Sequence, residues 1–187
     1  MRLFIALNLP DDVRRPLWDA LGPLRATPLP VRWVSQDNIH VSLKFLGEVD
    51  EGREPALRDA LRAAAQRAGG KGITLQVGGF GAFPDVRRPQ VLWAGVEPDP
   101  ALELLQHEVE RAFAPLGFAT DARPFRPHLT LGRARRTARP RAFQALAATM
   151  AALEFTATTV VADLDLMQSR LQPDGPQYVL RQRERLS

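Results

Sequence analysis

IHVSLKFL, residues 39–46, alternates in a way that only a strand can use. In an extended chain Ile39, Val41, Leu43 and Phe45 face one way, and His40, Ser42 and Lys44 the other. HLTLGR, residues 128–133, repeats the pattern, so HVSL at 40–43 and HLTL at 128–131 begin 88 residues apart. Pro10-Asp11 and Pro98-Asp99 share that offset, each between an apolar strand and a helix. ITLQV begins at residue 73, and the same step leads to residue 161, inside VVADL. Three landmarks at one spacing predict two similar lobes related by a pseudo-two-fold axis.

The remaining elements fit around this repeat. LFIALNL (3–9) reads as a buried strand, and a helix follows Pro10-Asp11 to about residue 22, with Val13, Leu17 and Leu21 four apart. VRWV (31–34) is extended, and Gly47 is expected to end the strand that begins near Ile39. An Ala/Leu/Arg helix over 54–68 stops at Gly69-Gly70. Strands are predicted over 73–77 and 91–97, with a Gly/Pro-rich loop between them at 78–90. The later helices are expected over 99–114 and 141–152, and the last strands over 155–167 and 178–183. A turn through Pro173-Asp174-Gly175-Pro176 joins those two strands. Strand 91–97 closes the first lobe or opens the second, and both assignments stay open at this point. The fold class is α+β: one bilobal domain over 1–187, two lobes of antiparallel sheet with helices outside and a catalytic cleft between them.

Composition narrows the chemistry. The 187 residues are 45% hydrophobic and 25% charged, enough for a packed core and too apolar for a disordered chain. There is no cysteine, which excludes disulfides, thiolate catalysis and cysteine zinc sites. No apolar run approaches the roughly 20 residues of a membrane span. The start, MRLFIALNLPDD, turns acidic too soon for a signal peptide, so a cytoplasmic location is expected. The net charge of +4 favours anionic partners such as nucleic acid. Of the 25 basic residues 23 are arginine, which a GC-rich genome also produces.

Three histidines are present: His40, His107 and His128. A single histidine in a strand is usually structural. A pair repeated in register, each with a hydroxyl two residues on, is a stronger signal. Positions i and i+2 of a strand share a face, so His40 stands beside Ser42 and His128 beside Thr130. A two-fold axis between the lobes brings two imidazoles and two hydroxyls to one cleft. That set suits a cyclic phosphodiester. One imidazole takes a proton from water, the other gives one to the leaving oxygen, and the hydroxyls donate to the non-bridging oxygens. His107 lies among Glu103, Glu108 and Glu110 and is expected on a solvated helix face. No HExxH or HxH pair is present, and no acidic residue recurs beside both motifs, so neither a metal nor another cofactor is expected.

HVSLKFLG and FRPHLTLGR, with RLFIALNLP at the start and RWV before the first motif, resemble the 2H phosphoesterase superfamily. Within it the likeness is to the RNA 2',3'-cyclic phosphodiesterases, also called 2'-5' RNA ligases. Ser42 stands where threonine is commoner and keeps the hydroxyl. The resemblance implies hydrolysis of a terminal 2',3'-cyclic phosphate of RNA to a 2'-phosphate, with reversible 2'-5' ligation as the same chemistry run backwards. It implies His40 as proton donor and His128 as proton acceptor, roles between which the residues themselves do not choose. Further substrate-binding candidates are Arg126, two before His128; Arg133, at the end of the motif strand; and Phe45, which strict alternation sends to the core. Arg133, Arg135, Arg136, Arg139 and Arg141 form a run that fits an RNA backbone or a solvated loop. The expected partner is RNA with a cyclic phosphate end, the expected state a monomer. The alternative is an RNA- or nucleotide-binding module without turnover.

Overall fold

The computed structural model describes residues 1–70, 72–173 and 175–186. In chain order these form strand β1 (Arg2–Asn8), helices α1 (Asp11–Ala20) and α2 (Gly22–Arg25), and strands β2 (Val31–Trp33) and β3 (His40–Glu48). Helix α3 (Glu54–Ala68), strands β4 (Ile73–Phe83) and β5 (Val91–Val96), helix α4 (Pro100–Phe113) and strand β6 (His128–Ala134) follow. Helix α5 (Leu146–Ala151) and strands β7 (Thr156–Val161), β8 (Asp163–Gln172) and β9 (Gly175–Arg185) complete the chain.

Local chemistry explains where the helices begin. Asp11 and Asp12 occupy the first turn of α1, where a carboxylate meets the positive end of the helix dipole. The Asp99 carboxylate caps α4, accepting from the amides of Ala101 at 2.8 Å and Leu102 at 3.2 Å. Helix α3 ends at Gly69, whose φ of 60° suits a residue without a side chain. The buried apolar side chains of all five helices, among them Leu17, Leu24, Leu57, Leu105 and Met150, join one core with Leu3, Ile5, Val41 and Leu129. Phe4, Ala6 and Met167 form a small separate cluster with Tyr178, so β1 is apolar on both faces. The helices therefore cover one face of the sheet, and the other carries the polar residues of the two motifs.

The strands form one curled antiparallel sheet in the order β7-β4-β5-β6-β3-β1-β8-β9, with β2 added along β6. The order is symmetric about the contact of β3 with β6. On one side β6 is followed by β5, β4 and β7, and on the other β3 is followed by β1, β8 and β9. Strand 91–97 thus belongs beside β6, because β5 pairs with both β4 and β6. The third strand of each side comes from the opposite half of the chain: β4 pairs with β5, and β8 with β1. Each side of the sheet is built from both halves of the sequence. The counterpart of Ile73, which opens β4, is Asp163, which opens β8; residue 161 is the last of β7.

Several boundaries differ from expectation. Strand β3 continues past Gly47, which takes a φ of 73°, to Glu48. Strand β4 runs to Phe83 and so absorbs the first part of the loop expected at 78–90, because its glycines pair with β5 and β7. The segment 155–167 divides at Ala162, and 141–152 divides into a 3-10 turn over Pro140–Phe143 followed by α5. In the turn between β8 and β9, Asp174 lies outside the described residues, as do Lys71 and Ser187.

The alternation of both motif strands is broken by a bulge. Ala6 lies opposite Ser42 but Ile5 opposite Lys44, which leaves Leu43 as an extra residue. Trp93 lies opposite Thr130 but Leu92 opposite Gly132, which leaves Leu131 over. Leu43 and Leu131 are themselves 88 residues apart. Beyond each bulge the side chains exchange faces. Lys44 turns into the interior, where its ammonium donates to Glu110 at 2.5 Å and to the Ala119 carbonyl at 2.8 Å. Lys44 is therefore unavailable to a ligand on the histidine face, contrary to the strict alternation read from the sequence.

Replacing Lys44 by methionine strands the Glu110 carboxylate near the core. The expected cost is roughly 3 kcal/mol in urea unfolding, mostly recovered when Glu110→Met is added. Equal stability of the wild type and the single variant would show the pair to be unimportant.

Candidate active site

Strands β3 and β6 meet through one bridged pair, Val41 with Leu129. Both side chains are fully buried in the main core. Antiparallel register then sets Thr130 across from His40 and Ser42 across from His128. Period two turns all four toward the opposite face. Residues directly opposite have Cβ atoms roughly 4.5–5.5 Å apart, so the four side chains form a small quadrilateral about the pseudo-two-fold axis.

Each imidazole is held from behind by a carbonyl two residues earlier. His40 Nδ1 lies 2.7 Å from the Asn38 oxygen, and His128 Nδ1 2.7 Å from the Arg126 oxygen. A carbonyl only accepts, so Nδ1 carries the hydrogen in both rings and Nε2 faces the cleft. His40 Nε2 is 2.9 Å from the Ser42 hydroxyl.

Aromatic rings fix the imidazole planes. Phe4 stacks on His40 with centroids 4.9 Å apart, and Tyr178 meets His40 edge-on at 5.3 Å. Phe83 meets His128 edge-on at 5.1 Å and leans on Trp93 at 5.2 Å. Burial among these groups disfavours the charged ring. It pushes His40 down to about 4, against the pull of the Asn38 carbonyl and with help from the charges of His128 and Arg133. His128 is lowered by the same causes, burial first, opposed by the Arg126 carbonyl and assisted by Arg133. The contribution of Arg133 is smaller than that of desolvation.

The bulges complete the site. Phe45 and Arg133, again 88 apart, emerge beyond Leu43 and Leu131 on the histidine face. Phe45 is 67% exposed and 6.2 Å from Phe4, which overturns its expected place in the core. Arg133 is exposed and lies near enough to help lower His40 and His128 and to oppose the burial that raises Tyr178. Arg126 does not share the face as a strand residue. It precedes β6, its side chain is exposed, and its carbonyl is the group that touches His128. His107 is exposed on α4, away from both motifs. Among the described residues no three potential metal ligands converge, and no helix is long and apolar enough to cross a membrane.

Sequence reasoning missed Phe4, Phe83, Trp93 and Tyr178, which reach the site from β1, β4, β5 and β9. It also missed Asn8, which lies opposite His40 and donates to the buried Asp165 at 2.6 Å. Asp165 in turn accepts two hydrogen bonds from Arg183, each 2.8 Å long. Nothing in the local pattern of these strands marks such residues, because the neighbours that give them a role are distant in the chain.

The model of the family described as the 2'-5' RNA ligase superfamily matches residues 13–172. The chain belongs to the 2'-5' RNA ligase superfamily. This is the 2H phosphoesterase family of enzymes that its paired motifs resemble. A relative from Methanothermobacter thermautotrophicus, named RNA 2',3'-cyclic phosphodiesterase, is 32% identical over 184 residues and is covered to 95%, as is this chain. A longer relative of the same name from Geobacillus stearothermophilus is 34% identical over 131 residues, which are 70% of this chain and 41% of that protein. Among solved structures, E. coli LigT complexed with 3'-AMP superposes with a TM-score of 0.77 at 28% identity, covering 100% of this chain and 98% of that one.

An NMR titration of the ligand-free protein should find both site imidazoles titrating below the usual value of about 6.5, His40 at about 4. Either ring titrating at or above the usual value would contradict burial as the dominant influence.

Proposed function

We propose that the chain hydrolyses a terminal 2',3'-cyclic phosphate of RNA to a 2'-phosphate. The observation that carries this reading is the Val41–Leu129 register, which gathers His40, Ser42, His128 and Thr130 on one face. The names and structures of the relatives support the same class of reaction.

In the reaction, His128 Nε2 takes a proton from water as the water oxygen attacks phosphorus. The bond from phosphorus to the 3' oxygen breaks, and that oxygen leaves with a proton from His40 Nε2. The family resemblance supports this assignment of roles. Ser42 and Thr130 donate to the non-bridging oxygens, and Arg133 balances their charge. The short contact between His40 and Ser42 couples the steps. A neutral ring accepts the Ser42 hydrogen. A protonated ring must donate from Nε2, and this frees the hydroxyl hydrogen for the phosphate. Phe45, exposed beside Phe4, offers the terminal base a stacking surface. The same steps with a 5' hydroxyl in place of water form a 2'-5' linkage and release the 3' hydroxyl, and their reversal breaks that linkage.

Both histidines are neutral in the free protein at neutral pH, so the donor's proton must be stabilised by the bound anion. A phosphodiester beside an imidazolium raises its pKa. The singly protonated pair is most populated between two values that both lie below about 6.5. The profile of kcat/KM, which reports the free enzyme, should therefore be bell-shaped with its maximum on the acid side of that value. The profile of kcat should lie further toward alkaline pH. A flat kcat/KM profile, or one with its maximum above pH 7, contradicts the mechanism.

Incubation with a 2',3'-cyclic-phosphate oligonucleotide in EDTA should yield the 2'-phosphate isomer. His40→Ala and His128→Ala should each remove roughly 10²–10⁴-fold of turnover, and His107→Ala should leave it unchanged. Retention of near wild-type turnover in both site variants would favour a binding module. Turnover that disappears in EDTA and returns with one metal would refute a metal-free reaction.

A further inference from the structure

We propose that a basic cavity at the far end of β6 binds the phosphodiester backbone of the RNA on the 5' side of its terminal nucleotide. The inference rests on the cyclic-phosphodiesterase reading for the direction in which the RNA runs. The cavity has a volume of about 510 Å³ and lies between the loop before β5 and the segment after β6. Arg88, Arg135 and Arg136 supply its charge, and Pro89, Pro140 and Phe143 give it apolar walls. This pairing of guanidinium groups with flat apolar surface suits a sugar–phosphate chain with a base lying against the wall.

Position ties the cavity to the catalytic face. Strand β6 carries His128, Thr130 and then Arg133 before it reaches Arg135 and Arg136. At about 3.3 Å per residue, Arg135 stands roughly 20 Å from His128. A nucleotide whose cyclic phosphate sits between the histidines does not extend that far, whereas the chain attached to its 5' side does. Arg133 lies between the two places.

The charge pattern differs from that of the rest of the molecule. Several arginines elsewhere are matched to carboxylates: Arg58 and Arg181 to Glu54, Arg67 and Arg111 to Glu108, Arg183 to Asp165. Among the described residues the guanidinium groups of Arg88, Arg133, Arg135 and Arg136 have no carboxylate within 4 Å, and Asp85 spends one oxygen on the backbone amides of Arg87 and Arg88. Residues 122–153 contain seven arginines and not one Asp or Glu. A genome rich in G and C multiplies arginines everywhere, but it does not separate them from acids. Unmatched like charges repel, and a polyanion is the ligand that relieves them.

The test compares the wild type with the triple variant Arg88→Ala, Arg135→Ala, Arg136→Ala. On an RNA oligonucleotide ending in a 2',3'-cyclic phosphate, kcat/KM should fall about tenfold, the equivalent of ~1.4 kcal/mol. On a 2',3'-cyclic mononucleotide it should be unchanged. Binding of a single-stranded RNA with a plain 3' hydroxyl, followed by fluorescence anisotropy, should weaken in the variant. The slope of log affinity against log salt should become shallower by about 2, near 0.7 for each phosphate that is no longer neutralised. Replacing the three arginines by lysine should restore most of that slope. If the variant binds RNA with the wild-type affinity and slope, or loses turnover equally on both substrates, the proposal is overturned. If the wild type turns over neither cyclic substrate, the catalytic reading fails, and the anisotropy measurement still decides whether the cavity holds RNA.

Discussion

Val41 and Leu129 hold no proton and touch no phosphate, yet the site depends on their contact. They are the single bridged pair between β3 and β6, and both side chains are buried beneath the sheet. Burying two large aliphatic side chains contributes roughly 1.5–3 kcal/mol each, and the sheet can secure that gain only in one register. A slip of one residue would turn the two aliphatic groups outward and the histidines into the core. The hydrophobic effect thus sets the spacing of the four polar groups without any direct bond between the two motifs. A pseudo-two-fold axis through this pair makes the arrangement nearly self-complementary. Symmetry is broken by what surrounds each ring: Phe4 and Tyr178 at His40, Phe83 at His128.

The surroundings set the ground state of both imidazoles. Burial disfavours the charged ring, while the carbonyls of Asn38 and Arg126 orient each Nδ1–H and return part of that loss. Both rings are biased toward the neutral form, with Nε2 directed into the cleft. A site of this kind is assembled before any ligand arrives, so little is reorganised on binding. The anion that the site is suited to receive is also the group that favours a protonated ring. On the proposed reading protonation and binding are linked, with Ser42 at the point of linkage through its contact with His40.

Charge is divided between two tasks in this protein. Lys44, one residue past its bulge, is committed to Glu110 and ties β3 to α4. Its neighbour Phe45 takes the exposed position on the histidine face. In the second repeat Gly132 replaces the lysine: a Cβ there would lie 2.6 Å from Val31, so β2 fills the place of the ion pair. Arg133 then takes the position equivalent to Phe45. The two repeats share a backbone and differ in which chemistry they present, a cation on one side and an aromatic ring on the other.

Much of this was legible in the amino-acid sequence. The alternation around His40 and His128, the hydroxyls two residues on and the shared offset of 88 identify the two motifs and their common face. These are features of period and spacing, which a chain expresses locally. Helix α3 was equally readable, from its Ala/Leu/Arg composition and the glycines that follow it. Three matters were decided only by the tertiary structure. Strand β5 lies beside β6, and β4 and β8 cross to the opposite halves of the sheet, because pairing partners are chosen by the whole sheet and not by neighbours in sequence. The bulges at Leu43 and Leu131 exchange Lys44 for Phe45 and bring Arg133 to the histidine face, and a bulge is a mismatch between two strands that neither strand carries alone. The depressed pKa values of the histidines come from rings contributed by β1, β4 and β9, since desolvation depends on every group packed around a charge, however far apart in the chain those groups begin.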